Sequence, residues 1–138
     1  MKKRMLYLIL PILSIILESL PYGAVLTMWD GEQIYRKTFS YFDVTLIGFA
    51  KLDPMFIAIL TSVGFLLLLV FSFGGKERWA ITAKAVFYVG AIYSIGTLVD
   101  ALIHDIRLFS VVGLFISLSL IAETLILHFT VDPCVAGR

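Results

Sequence analysis

Four ionisable residues stand inside otherwise apolar stretches of the chain: Glu18, Lys84, Asp100 and Glu123. Such groups are costly to bury, which makes them the first candidates for a bound ion, a proton relay or an ion pair. Depth decides which of them can meet. If each stretch is a helix, Lys84 lies roughly 6 Å from one end of its run, and Glu123 roughly 10 Å from the same end of the next. A Lys84–Glu123 salt bridge across consecutive antiparallel helices is one expectation, and Lys84 snorkelling to the surface is the other. Glu18 has no basic residue at its depth. It is either protonated and hydrogen-bonded to a hydroxyl such as Thr97 or Ser94, or it lines a wet cavity and titrates. Around it, Pro11, Ser14, Glu18, Pro21 and Ala24 recur at helical steps and form one small, polar face. That face directs Glu18 into a bundle, and Pro21 loosens the helix about one turn beyond it.

Asp100 and His104 stand one helical turn apart and Asp105 follows, which could bring a carboxylate and an imidazole onto one metal. Without a CxxC or HExxH frame, capping and hydration at the membrane interface are the better reading, and no metal is expected. His128 reads as an interface residue and Cys134 as a reduced thiol. The chain has no GxSxG, Walker loop, GxGxxG or cysteine pair. No enzymatic activity and no cofactor are expected.

The elements that position these groups follow from composition. The chain has 138 residues, of which 60% are hydrophobic and 15% charged, with a net charge of +1. Disorder is excluded because disordered chains are poor in apolar residues. One cysteine excludes a disulfide scaffold, and the scarcity of Lys and Arg argues against nucleic acid. Four apolar runs, Met5–Trp29, Met55–Phe73, Ala80–Ile103 and Leu108–Thr130, are 25, 19, 24 and 23 residues long. A bilayer core needs about 20. The second run has no charge at all, whereas a soluble helix keeps a polar stripe. The predicted fold is an all-α integral membrane protein: a single-domain four-transmembrane-helix bundle. Asp53-Pro54 suits a helix start with Asp53 as N-cap, and Gly74-Gly75 ends the second run. Asp105 is a candidate N-cap for the fourth run, and Asp132-Pro133 closes it. Tyr7, Trp29 and Trp79 sit at span ends, where amphipathic rings favour the interface. Small and hydroxyl residues form packing seams: Ala58, Thr61 and Ser62; Gly90, Ser94, Thr97 and Ala101; Ser110, Gly113, Ser117 and Thr124.

The connection 30–54 is far longer than the others. Phe39, Tyr41, Phe42 and Phe49 make it too apolar for disorder. Thr38–Thr45 suits an extended segment, with Gly48 turning the chain. A partly extended outer cap over the helix ends is expected. Glu18-Ser-Leu-Pro-Tyr-Gly-Ala24 followed by Phe39-Ser-Tyr-Phe42 resembles small four-helix membrane proteins of Gram-positive anaerobes, a group with no known activity. The resemblance covers about a quarter of the chain and implies a bacterial plasma-membrane protein.

Lys and Arg set the orientation. With the N-terminus inside, seven basic residues fall on the cytoplasmic side and four outside, so both termini are expected in the cytoplasm. A cleaved signal peptide is the rival reading of the first run, but no small-x-small cleavage site follows Leu17 at good spacing. The function expected is non-enzymatic: an accessory, structural or partner-binding bundle. Its partners are the lipid bilayer and either a second copy in a homo-oligomer or another membrane protein. The alternative is a small proton-coupled transporter. Length, four helices and a carboxylate in the first helix are similar to the small multidrug resistance family, where that carboxylate exchanges protons for cationic drugs. Glu18 is the one residue that carries over. The chain departs from that family in its length, its long first connection and its lack of the Lys and Gly-Phe pattern after the first helix.

Overall fold

A computed structural model describes residues 6–29, 31–44, 52–104 and 110–136. A 3-10 turn, Leu6–Leu8, leads into α1 (Ile9–Ser19). Two strands follow, β1 (Ala24–Trp29) and β2 (Ile34–Phe39), and then α2 (Asp53–Ser72), α3 (Glu77–His104) and α4 (Val111–Ala136).

Three of the helices, α2, α3 and α4, are long and apolar enough to cross a membrane. The first is not, and the expected span 5–29 is corrected here. From Leu6 to Ser19 it rises about 22 Å, short of a hydrocarbon core of roughly 30 Å. It ends where Leu20 turns extended, with ψ 141°. Leu20 precedes Pro21, and the proline ring disfavours helical geometry in the residue before it. The rest of the run pairs instead as β1 with β2, antiparallel, from Ala24 opposite Phe39 to Trp29 opposite Ile34. The bundle is therefore three long helices, one short helix and a hairpin. An extended segment does lie in the 30–54 connection, but it is Ile34–Phe39 rather than Thr38–Thr45. Gly48 and Phe49 lie outside the described residues.

The other boundaries move by a few residues. Asp53 is not the N-cap of α2; Leu52 is, and Asp53 sits in the first turn, where the helix dipole favours a carboxylate. Gly74, at φ +100°, closes that helix as expected, and the Gly75 amide reaches back to the Val70 carbonyl at 3.0 Å. The fourth helix continues past Asp132-Pro133 to Ala136. Asp105, proposed as its cap, lies outside the described residues.

The first helix packs on α2 and α4, and α3 packs between those two, so the four helices close a ring. Their directions alternate. The hairpin, Asp53, His104 and Val111 share one end, and Leu6, Ser72, Glu77 and Ala136 the other. Apolar side chains such as Ile57, Leu68, Phe87, Ile116, Leu120 and Leu127 fill the interior. A close approach joins α2 and α3: a Cβ added at Gly64 would stand 2.6 Å from the Phe87 ring. Hydroxyls are buried among them, while Ile92, Ile103, Val111 and Phe129 are largely exposed. Polar groups inside and apolar groups outside is the arrangement a bilayer selects.

Candidate functional site

The site is built from two copies of one local pattern. Ser14-Ile-Ile-Leu-Glu18 lies on α1 and Ser119-Leu-Ile-Ala-Glu123 on α4. At a four-residue spacing each Ser and Glu share a helix face. Both faces are buried: Ser14 and Glu18 have no exposed surface, and Glu123 only 2%. The two serine hydroxyls meet at 2.8 Å. Ser119 gives its hydrogen to the Ile116 carbonyl at 2.8 Å, so Ser14 is the donor between them. A second pair does the same on the other seam, where Ser117 donates to Gly113 and Ser94 to Ser117 at 2.6 Å.

Glu18 takes one hydrogen bond, from Thr61 on α2 at 2.8 Å to its Oε1. Thr61 was not the expected partner. Thr97 donates to the Ser94 carbonyl instead, and Ser94 is held by Ser117. Thr61 has one hydrogen and two acceptors, since the Ile57 carbonyl stands 3.0 Å away. Among the described residues, Glu18 Oε2 and both oxygens of Glu123 are buried with no hydrogen-bond partner.

The expected Lys84–Glu123 pair is thus corrected: neither Glu123 oxygen accepts a hydrogen bond from Lys84. Lys84 is half-buried, at the margin of the stripe that Ala80, Ala83 and Phe87 bury on α3. Its ammonium sits 5.9 Å from the centre of the Tyr88 ring, a cation–π distance. The Tyr88 hydroxyl in turn meets His128 Nδ1 at 3.0 Å.

Above the carboxyls, at the hairpin end, the upper half of the expected first helix is missing. A cavity of about 410 Å³ lies there. Its polar wall is Tyr41, Asp53, Tyr93, Thr97, Asp100 and Ser110, and Ile57, Ile92 and the hairpin base complete it. The hairpin base is fixed by three bonds. The Tyr41 amide donates to the Glu18 carbonyl at 2.9 Å, Ser110 donates to the Gly23 carbonyl at 2.6 Å, and the Gly113 amide donates to Ser110 at 2.8 Å. The Tyr41 ring lies against Gly23, where a Cβ would stand 2.9 Å from it. Burial pushes the Tyr41 phenol up, and the neighbouring Glu18 charge adds to this, so it stays protonated at any physiological pH.

Of the four cap aromatics, Phe39 and Tyr41 are buried in the bundle and Phe42 is exposed. The remaining one, Phe49, lies outside the described residues. Asp100 lines the cavity, while Asp105 and the His104 side chain lie outside the described residues. No group of three His, Cys, Asp or Glu that could hold a metal occurs among the described residues. The repeated Ser-x-x-x-Glu pattern would have led to Ser14 and Ser119 from sequence. Nothing in the sequence marks Thr61 as the partner of Glu18, or Tyr93 and Asp53 as lining one cavity. A scan against protein-family models finds no match, and searches of the curated proteins and of the solved structures find no similar chain.

Proposed function

We propose that the chain is a multi-pass protein of a bacterial plasma membrane that works by binding, not by catalysis. Its ligand is a small amphiphilic cation held in the hairpin-end cavity. The observation that carries this reading is the composition of the cavity wall. Two carboxylates, Asp53 and Asp100, stand with two tyrosines, Tyr41 and Tyr93, over an aliphatic floor. Carboxylates attract a cation, ring faces accept it once it is partly desolvated, and the aliphatic residues take its apolar part. The volume is within the roughly 300–1,000 Å³ of small-molecule sites. Alternating helices bring residues 6 and 136 to the end away from the hairpin. The bias of Lys and Arg supports a cytoplasmic location for that end.

Benzyltrimethylammonium is a suitable probe. Titrated calorimetrically into the detergent-solubilised chain, it binds saturably. In Asp53→Asn/Asp100→Asn the affinity falls at least about tenfold, or about 1.4 kcal/mol. Equal affinity in the double variant, or no saturable heat in the wild type, counts against the reading.

A further inference from the structure

The second set of groups that ask for a ligand lies below the cavity, in the bundle itself. The first and fourth helices run antiparallel and touch at the Ser14–Ser119 hydrogen bond. Each serine is followed four residues on by a glutamate, so the two glutamates flank the contact from opposite sides. Their Cα atoms are about 12 Å apart along the axis at 1.5 Å per residue. Side chains on a helix tilt toward its N-terminus. On antiparallel helices that tilt carries Glu18 and Glu123 back toward the serines and toward each other.

Both side chains are more than nine-tenths buried, yet three of their four oxygens have no hydrogen-bond partner among the described residues. Burying a carboxylate without a partner is among the costliest arrangements a fold can hold. A proton alone removes the charge but adds an O–H donor, which then needs an acceptor of its own. A cation between the two side chains satisfies the bare oxygens directly. The polar side chains that these two helix faces offer carry only oxygens: the carboxyl oxygens and the hydroxyls of Ser14 and Ser119. An oxygen-only set selects a hard cation. Among the described residues no third His, Cys, Asp or Glu joins the two carboxyls, and three bare carboxyl oxygens with two hydroxyls are fewer than the roughly six to eight oxygens that calcium takes.

We propose that Glu18, Glu123 and the hydroxyls of Ser14 and Ser119 form a buried site for a monovalent hard cation of the sodium class, between the first and fourth helices. One such ion and one proton balance the two carboxylates, so the occupied site is neutral within the bilayer. The site is separate from the cavity, and its test uses no cavity ligand.

The test is thermal unfolding of the purified full chain in detergent, in choline chloride against sodium chloride at equal ionic strength. Sodium raises Tm saturably, by about 3 °C or more, because only the folded state binds it. The rise is lost in Glu123→Gln, and in Ser119→Ala it needs more sodium. Direct binding of radioactive sodium to the wild-type chain, at one ion per chain, gives the same answer should Glu123→Gln fail to fold. Equal Tm in choline and sodium with no bound sodium overturns the proposal. So does a full response in folded Glu123→Gln, or stabilisation by calcium with none by sodium.

Discussion

Thr61 is the residue on which the buried carboxyl network most visibly depends. It is 1% exposed and is the one described donor to Glu18. Thr61→Val keeps the shape and removes the hydroxyl, leaving all of the Glu18 carboxyl without a partner. The expected loss is about 1–2 kcal/mol, since interhelical hydrogen bonds in membranes are modest but a stranded buried acceptor is not. Thr61→Ser, which retains the hydroxyl, loses less. Chemical denaturation in mixed micelles measures both, and equal stability of Thr61→Val and wild type would show the bond to be dispensable. At this scale the sequence reading was good at selecting residues and poor at pairing them. Position inside an apolar run singles out four residues, of which Glu18 and Glu123 are buried, and counting from the ends of a run gives their depth. Pairing also needs azimuth, which depends on how each helix is rotated against its neighbours. Lys84 has the right depth for Glu123 but lies beside the buried stripe of its helix, with Tyr88.

Between α2 and α3 a single missing side chain permits a close contact. Gly64 faces Phe87, which is 1% exposed and has no room to retreat. Gly64→Ala therefore destabilises by about 1–3 kcal/mol, the usual result of overpacking, despite the better helix propensity of alanine. Phe87→Leu in the Gly64→Ala background recovers part of that loss, whereas Phe87→Leu alone destabilises. A double-mutant cycle on unfolding free energies reads the coupling, and simple additivity would mean that the two residues do not share the contact. The three long helices were legible because an apolar run of about 20 residues with few or no charges has few alternatives. The hairpin was not, because apolar content alone does not separate a strand from a buried helix. Two local signals were present in the sequence. Leu20-Pro21 marks a break, and Asp30-Gly31 is a common hairpin-turn pair placed just after Ala24–Trp29. A continuous apolar run outweighed both, and with it went the upper half of the first span.

At the scale of the whole molecule, the short first helix and the hairpin have one joint consequence. Three helices extend the full length of the bundle, while the first corner is filled by a helix below and the hairpin base above. The cavity opens where those two meet the ends of α2, α3 and α4. This arrangement also places the two tryptophans at opposite ends. Trp29 ends β1 and is 75% exposed; Trp79 lies in the first turns of α3, 38% exposed, at the other end. In a bilayer both rings belong in headgroup regions, which suit an apolar ring with a polar N–H. Single-tryptophan variants, Trp79→Phe and Trp29→Phe, in sealed vesicles of uniform orientation test this. A membrane-impermeant quencher added outside reduces the emission of one variant and leaves the other unchanged until the vesicles are opened. Lipids brominated near the headgroup quench both, and lipids brominated near the bilayer centre quench neither strongly. If both tryptophans respond to the external quencher in sealed vesicles, the hairpin and the start of α3 lie on the same side. A single crossing between them by α2 is then impossible.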